Sequence, residues 1–509
     1  MNIRKLLTRL VSLALIAVFL PTVAMADTWY LEDGSITVSA TDSGQSVSQG
    51  GVTKEDSAPV IRNRDSSAST TNNVTIRADT GATANVTLED TNIDTTGGAG
   101  PNGAGDAAVR TEGGGNVNLN VELDNTLQSG NTRAGVEKGN GGNLTIGSES
   151  GSGQLVATGG DGGAGIGSED RLATGNASNM NVGNITITGG DIFATGNGGG
   201  AGIGGGWYCS ASDITITGGK VTAVGKQDDP GKIGGAGIGG GGWNQYHYPG
   251  NGTDIKITGG HVTAIGGNFS AGIGGSYRSS GDNITISDAE VIAIGGTCAA
   301  GIGGGCAGGF DYGGQGTNIS ISGSANVKAA GGVSDGIDGA GAAIGAGGSH
   351  QWDGPIDAKE GNADTSDLSP DGKVECFTPG TTFDIPQPKP RSSFLIAPAE
   401  PQPVKAALYR VIDETGKALP VETKQEDGVL LLTAQADIAI LEGAISGLQT
   451  LQSRGIDTIT FTNGTISVSF SLAEVIAKGV SSDIYRLTLS GGEANFTLAD
   501  ADITALLGK

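Results

Sequence analysis

Aromatic side chains are scarce in this chain and unevenly placed. Of its twelve Trp and Tyr residues, eight lie between Trp207 and Trp352. They are Trp207, Tyr208, Trp243, Tyr246, Tyr248, Tyr277, Tyr312 and Trp352, with Phe310 beside them. Each comes soon after a segment of the type Ala-Gly-Ile-Gly. Flat rings with Asn244, Gln245, His247, Arg278 and Gln351 nearby suit stacking on sugar rings and hydrogen bonding to their hydroxyls. The same rings would serve equally to cover the flank of the protein on which they sit. The spacing leaves both readings open.

Other chemistry is thinly represented. The three histidines, His247, His261 and His350, are far apart, and no spacing matches a zinc site. No metal and no cofactor is expected. Gln227-Asp228-Asp229 resembles the paired acids of a polygalacturonase. It sits in an insertion, however, without the Gly-His-Gly or Arg-Ile-Lys elements that would accompany it, and reads as a solvated turn. The chain is therefore expected not to be an enzyme. Cys298 and Cys306 flank Ala300-Gly301-Ile302-Gly303 and are a candidate disulfide, with two thiols as the alternative. Cys209 lies about three repeats from Cys306, roughly 14 Å along a stack of strands, beyond disulfide reach.

The elements that must position these residues are repeats. Asn184-Ile185-Thr186-Ile187-Thr188-Gly189-Gly190 returns starting at Asp213 and Asp254, and in shorter form at Asn283 and Asn318. Looser copies start at Asn73, Asn85, Asn116 and Asn143. The alternation is that of a strand with Ile inward and Thr outward. A second short strand follows, as in Val221-Thr222-Ala223-Val224, then the Ala-Gly-Ile-Gly strand centred on Ile166, Ile203, Ile238, Ile273 and Ile302. One such module cannot bury its Ile face alone, but stacked modules build a continuous core. Gly supplies left-handed turns, and the leading Asn or Asp suits a coil corner. This spacing predicts an all-β fold, a right-handed parallel β-helix over 73–377. Disorder would not require inward Ile at a fixed phase.

At the first position of the second strand stand Asp191, Lys220, His261, Glu290 and Asn326, so stacking sets opposite charges side by side. The Thr-x-Thr column is explained by β-propensity.

These "ITGG…VTA.GG…AGIGGG" repeats resemble the Gly-rich repeats of secreted surface proteins of Gram-positive bacteria, over about Asn73 to Gly348. The resemblance implies a pectin-lyase-like β-helix with a carbohydrate-binding or adhesin-like role.

Composition agrees with such a chain. Of 509 residues 94 are Gly and only 15 Pro, with no Gly-X-Y period, which excludes collagen. With 29 basic and 53 acidic residues the net charge is −24, against nucleic acid as a partner. Arg4, Lys5 and Arg9, the apolar run Leu10–Leu20 and Ala24-Met25-Ala26 read as a secretory signal peptide over 1–26. A secreted or loosely surface-associated protein is expected, with no membrane span in the mature chain. Residues 27–72 read as a cap for the first coil. Residues 378–404, with seven prolines, read as a semi-rigid linker, and 405–509 as a small α+β domain. In that domain Ala406–Asp413 and Gly428–Thr433 read as strands and Ala434–Arg454 as an amphipathic helix.

The function these features suggest is non-catalytic binding of an extracellular polysaccharide or glycan. A β-helix polysaccharide lyase or glycoside hydrolase is the alternative, and a protein-binding adhesin or structural spacer a third.

Overall fold

The computed structural model describes residues 27–97, 105–170, 181–226, 233–242, 250–307, 313–351, 354–358, 361, 363–390, 409–414, 417, 419, 421–426, 428–453, 456–480, 483–499 and 501–508. The chain forms two compact units, divided between Ile396 and Ala397.

In the first unit the period-two alternation does what sterics demand of it. Strand side chains point alternately to opposite faces, and Ile on every second position must find a common interior. Each regular coil gives one strand to each of three sheets. The first sheet takes Ile185–Ile187, Ile214–Ile216, Gly252–Ile257, Gly281–Ser287 and Gly316–Ser322. The second takes Asp191–Asn197, Lys220–Gly225, His261–Ile265, Glu290–Ile294, Asn326–Ala330 and Lys373–Phe377. The third takes the two-residue strands Ile203–Gly204, Ile238–Gly239, Ile273–Gly274 and Ile302–Gly303. Successive coils pair in parallel, like on like: Ile255 with Ile214 on one side and Ile284 on the other, Val221 with Val262, and Ile203 with Ile238. The result is a right-handed parallel β-helix with sheets of twelve, nine and twelve strands.

The core is the stack of inward columns. Ile185, Ile187, Ile203, Ile214, Ile216, Ile238, Ile255, Ile257, Ile273, Ile284, Ile286 and Ile302 are all 0% exposed. Each contributes roughly 1.5–3 kcal/mol of burial, set against the entropy of ordering the coil.

Two backbone features let the coils close. The corner residues Asn184, Asp213, Asp254, Asn283 and Asn318 have φ between 50° and 57°, a left-handed conformation that Asn and Asp tolerate better than other side chains. In the third sheet Gly204 has φ 133°, and a Cβ there would lie 2.1 Å from the carbonyl oxygen of Gly239 in the next coil. Only Gly permits that approach.

At the amino-terminal end, Ile36–Thr41 pairs in parallel with Val74–Ala78 and antiparallel with Gly44–Gln49, which pairs in turn with Val52–Glu55. Leu31 is fully buried there. The third sheet thus ends in an antiparallel meander rather than an open coil.

The segment expected to be a linker behaves differently in its first half. Gly380 donates its N–H to Gly331 O at 3.0 Å, and Phe383 meets Phe377 edge-on at 5.1 Å. At its far end Lys389 is bonded to Gln154, whose strand lies six places along the second sheet from Lys373–Phe377. Six strand spacings are about 29 Å. After a turn at Thr378–Thr381, closed by Thr381 N–H to Thr378 O at 3.1 Å, the residues up to Lys389 cover the rest in an extended form, at about 3 Å per residue in polyproline geometry. Pro386, Pro388 and Pro390 enforce it. Residues 378–390 are therefore a strap along the outer face of the second sheet.

Among its described residues the second unit has two sheets and two short helices. Arg410–Ile412, Ile438–Ala444, Ile484–Ser490, Glu493–Leu498 and Ala501–Asp502 form one sheet. Val421–Glu426, Val429–Ala434, Thr458–Thr462 and Ser467–Ser471 form the other. The helix expected over Ala434–Arg454 is confined to Ile445–Ser453. Its first part is a strand because Ile438–Ala444 is hydrogen-bonded on both edges, to Arg410–Ile412 and to Ile484–Ser490. Two ladders outweigh helical propensity. Among the described residues no helix is long and apolar enough to cross a membrane.

Candidate functional site

The outer face of the second sheet is the part of the β-helix with the most varied chemistry. Its first outward column runs, in register, Asp191, Lys220, His261, Glu290, Asn326, Lys373. The next outward column, two residues on, runs Val156, Phe193, Thr222, Thr263, Ile292, Lys328, Glu375. Of the opposite charges that the sequence sets side by side in this column, His261 and Glu290 form an ion pair. His261 Nδ1 lies 2.7 Å from Glu290 Oε2, and Lys373 Nζ 2.9 Å from Glu375 Oε1.

Part of this face is covered. Thr222 and Thr263 point outward yet are 4% and 5% exposed, and Phe193 is 5% exposed. The strap runs across the same face, and Pro386 forms one wall of an open groove of about 620 Å³. Lys220, His261, Glu290, Asn326 and Lys373 line one side, with Thr263, Ile292, Lys328 and Glu375 forming the floor. Donors and acceptors repeat at the coil spacing, about 4.8 Å, over a partly apolar base. Such a surface can hydrogen-bond a chain of hydroxyl-bearing rings laid along the helix axis.

The groove was not singled out by sequence. The signal was present: Val224, Ile265 and Ile294 occupy outward positions beside the column of Phe193 and Ile292. A strand that is apolar on both faces is covered on both.

The aromatic residues are placed otherwise. Tyr208 is buried at 5% exposure, with φ 65°, and stacks on Trp207 at 5.0 Å. Burial, with Asp170 second, raises the Tyr208 hydroxyl above its usual range. Trp207 is half-buried and lies over Gly199, where a Cβ would be 2.9 Å from its ring. Tyr277 is half-buried, edge-on to Phe269 at 5.8 Å, with the Arg278 guanidinium 5.4 Å from its ring centre. These three rings pack against the coils. Trp243, Tyr246, Tyr248, Phe310, Tyr312 and Trp352 lie outside the described residues, as do Asp228, Asp229 and His247.

Of the two alternatives for Cys298 and Cys306, the structure carries them as buried thiols. Cys298 Sγ accepts the Asp335 N–H at 3.3 Å and donates to Asp338 O at 3.6 Å, so its sulfur is turned to the backbone of the next coil. Among the described residues no cluster of three or more His, Cys, Asp or Glu could hold a metal ion.

A second charged cluster sits on the third sheet near its amino-terminal end, where Arg110 and Glu137 occupy the column that is Gly167 and Gly204 in later coils. Glu137 lies 3.3 Å from Arg110 and 3.2 Å from Arg133, which also pairs with Glu169. Burial pushes Glu137 up to about 7, with Arg133 pulling against it. Lys138 is lowered to about 8 by burial, its Nζ donating to Asn140 O and Gly142 O. The Glu137 side chain is only 4% exposed. Arg110 reaches solvent at 43% side-chain exposure while the carboxylate it faces is covered, and the cluster is read as an ionic lock.

The β-helix repeat family model matches four stretches of this chain. They are residues 185–207, 214–242, 255–277 and 284–306. Each begins at the inward Ile of a first-sheet strand and ends just past the third-sheet strand, so each is one coil. No curated protein and no solved structure matches.

Proposed function

We propose that this is a secreted protein that binds extracellular carbohydrate without cleaving it, in the groove between the second sheet and the strap. The observation that carries this reading is the groove itself: open, axial, and lined at coil spacing by amide, hydroxyl, imidazole, ammonium and carboxylate groups over Ile292 and Thr263. A polysaccharide has the matching repeat of polar edges and flat apolar faces. The amino-terminal basic, apolar and Ala-x-Ala segments support an extracellular site of action.

A lyase or hydrolase acting in the same groove is the second reading, since Glu290 and Glu375 both line it. The two stand on strands two coils apart and in neighbouring outward columns. Each is also engaged by a basic neighbour, His261 and Lys373. These features favour binding over catalysis. The test is a glycan array with the mature protein, run beside reducing-sugar and unsaturated-product assays on every ligand retained. Binding without product supports the proposal, and product formation moves the assignment to the second reading.

A further inference from the structure

The charge in the groove is arranged against the balance of the protein. The chain carries 29 basic and 53 acidic residues, yet three lysines, Lys220, Lys328 and Lys373, line this one groove. Its two carboxylates are already engaged, Glu290 by His261 and Glu375 by Lys373. Among the described residues Lys220 and Lys328 have no ion-pair partner, and both are exposed. Asp191 is the register neighbour of Lys220 on the adjacent strand, but among the described residues the two form no ion pair and Asp191 Oδ1 is buried without a hydrogen-bond partner.

Lys220 and Lys328 stand three strands apart, about 14 Å along the axis. Two exposed ammonium groups outside any ion pair, at that separation along a groove, suit a linear polymer with anionic substituents on separate residues. Relying on the carbohydrate reading above, we infer that the groove selects an anionic glycan, one bearing carboxylate or sulfate groups, with Lys220 and Lys328 as its charge-reading residues.

The net charge of −24 works against an incoming polyanion at long range. At about 150 mM salt the Debye length is about 8 Å, so charges elsewhere on the molecule are largely screened. A lysine in direct contact with a carboxylate or sulfate is not, and the local contacts decide the outcome.

The test uses three oligosaccharides of equal length: an oligouronate, a sulfated oligosaccharide and a neutral oligoglucoside. Their affinities for the mature protein are measured by calorimetry at about 150 mM salt. The variants are Lys220→Gln, Lys328→Gln and the double substitution, each checked for unchanged melting temperature. Tighter binding of one or both anionic chains is expected, weakened about two- to five-fold by each single substitution and about ten-fold by both, as for exposed charge contacts. The uronate and sulfate arms tell the two anions apart. Equal binding of the neutral chain, or anionic binding indifferent to both substitutions, overturns the inference and leaves the carbohydrate reading standing. Failure of all three chains to bind overturns both.

Discussion

Lys389 and Gln154, 235 residues apart in sequence, are joined by two hydrogen bonds: Lys389 N–H donates to Gln154 Oε1 at 2.8 Å, and Gln154 Nε2 donates to Lys389 O at 3.2 Å. The pair fixes the far end of the strap. It turns what composition suggests is a spacer into one wall of the groove. Gln154→Ala removes both bonds, each worth about 0.5–1.5 kcal/mol. Hydrogen exchange of the Lys389 amide is expected to rise about ten-fold or more, while amides of Glu290–Ile294 stay protected. Unchanged exchange at Lys389 would show that the strap is held elsewhere.

The register of the coils can be tested within one strand. Ile286 is fully buried and Thr285 points outward beside Lys256 and Ser320. Ile286→Ala is expected to cost about 2–5 kcal/mol, and Thr285→Ala no more than about 0.5 kcal/mol, read from denaturant melts. Equal effects would mean that the two faces are misassigned.

Stability should depend on pH through Glu137. Its folded value is raised to about 7 from an ordinary 4.5, so between those values the folded state binds more protons than the unfolded chain. The contribution is complete below about 4.5 and is lost as pH rises through 7. Glu137→Gln removes this dependence, and its melting temperature relative to the parent should climb from pH 5 to pH 8. A difference independent of pH would place the titration elsewhere.

Thiol reactivity should follow burial. Cys376 is exposed, whereas Cys209, Cys298 and Cys306 are buried. With a bulky thiol reagent and no reductant, one equivalent is expected to react fast on the folded protein and all four on the denatured one. Two equivalents after denaturation, with a linked Cys298–Cys306 peptide, would restore the disulfide.

Much of the fold was legible because the β-helix is built from local regularities. Inward Ile, corner Asn or Asp and tight-turn Gly each imposed a constraint visible at fixed phase, and all recur in the coils. The groove was less legible because its wall comes from residues 378–390, whose partner Gln154 is more than two hundred residues away. No local pattern encodes that contact. Only the doubled apolar pattern of Val291-Ile292 and Val224 hinted that the face was covered. For the aromatic cluster, phase locates a ring on a flank but does not say whether it folds down. Trp207 does so because Gly199 leaves room for it. In the second unit, Ile438–Ala444 is apolar enough for either helix or strand, and pairing on both edges decided between them.

Glycan binding by a variant with a blocked groove tests the central proposal most directly. Asn326 is exposed on the groove wall, and Asn326→Trp would fill the space between Glu290 and Lys373 without touching the core. On the same glycan array, the parent protein should retain at least one polysaccharide and Asn326→Trp should lose it, at unchanged melting temperature. A variant that binds as tightly as the parent would contradict the placement of the site in this groove, and a parent that binds no glycan would contradict the proposal as a whole.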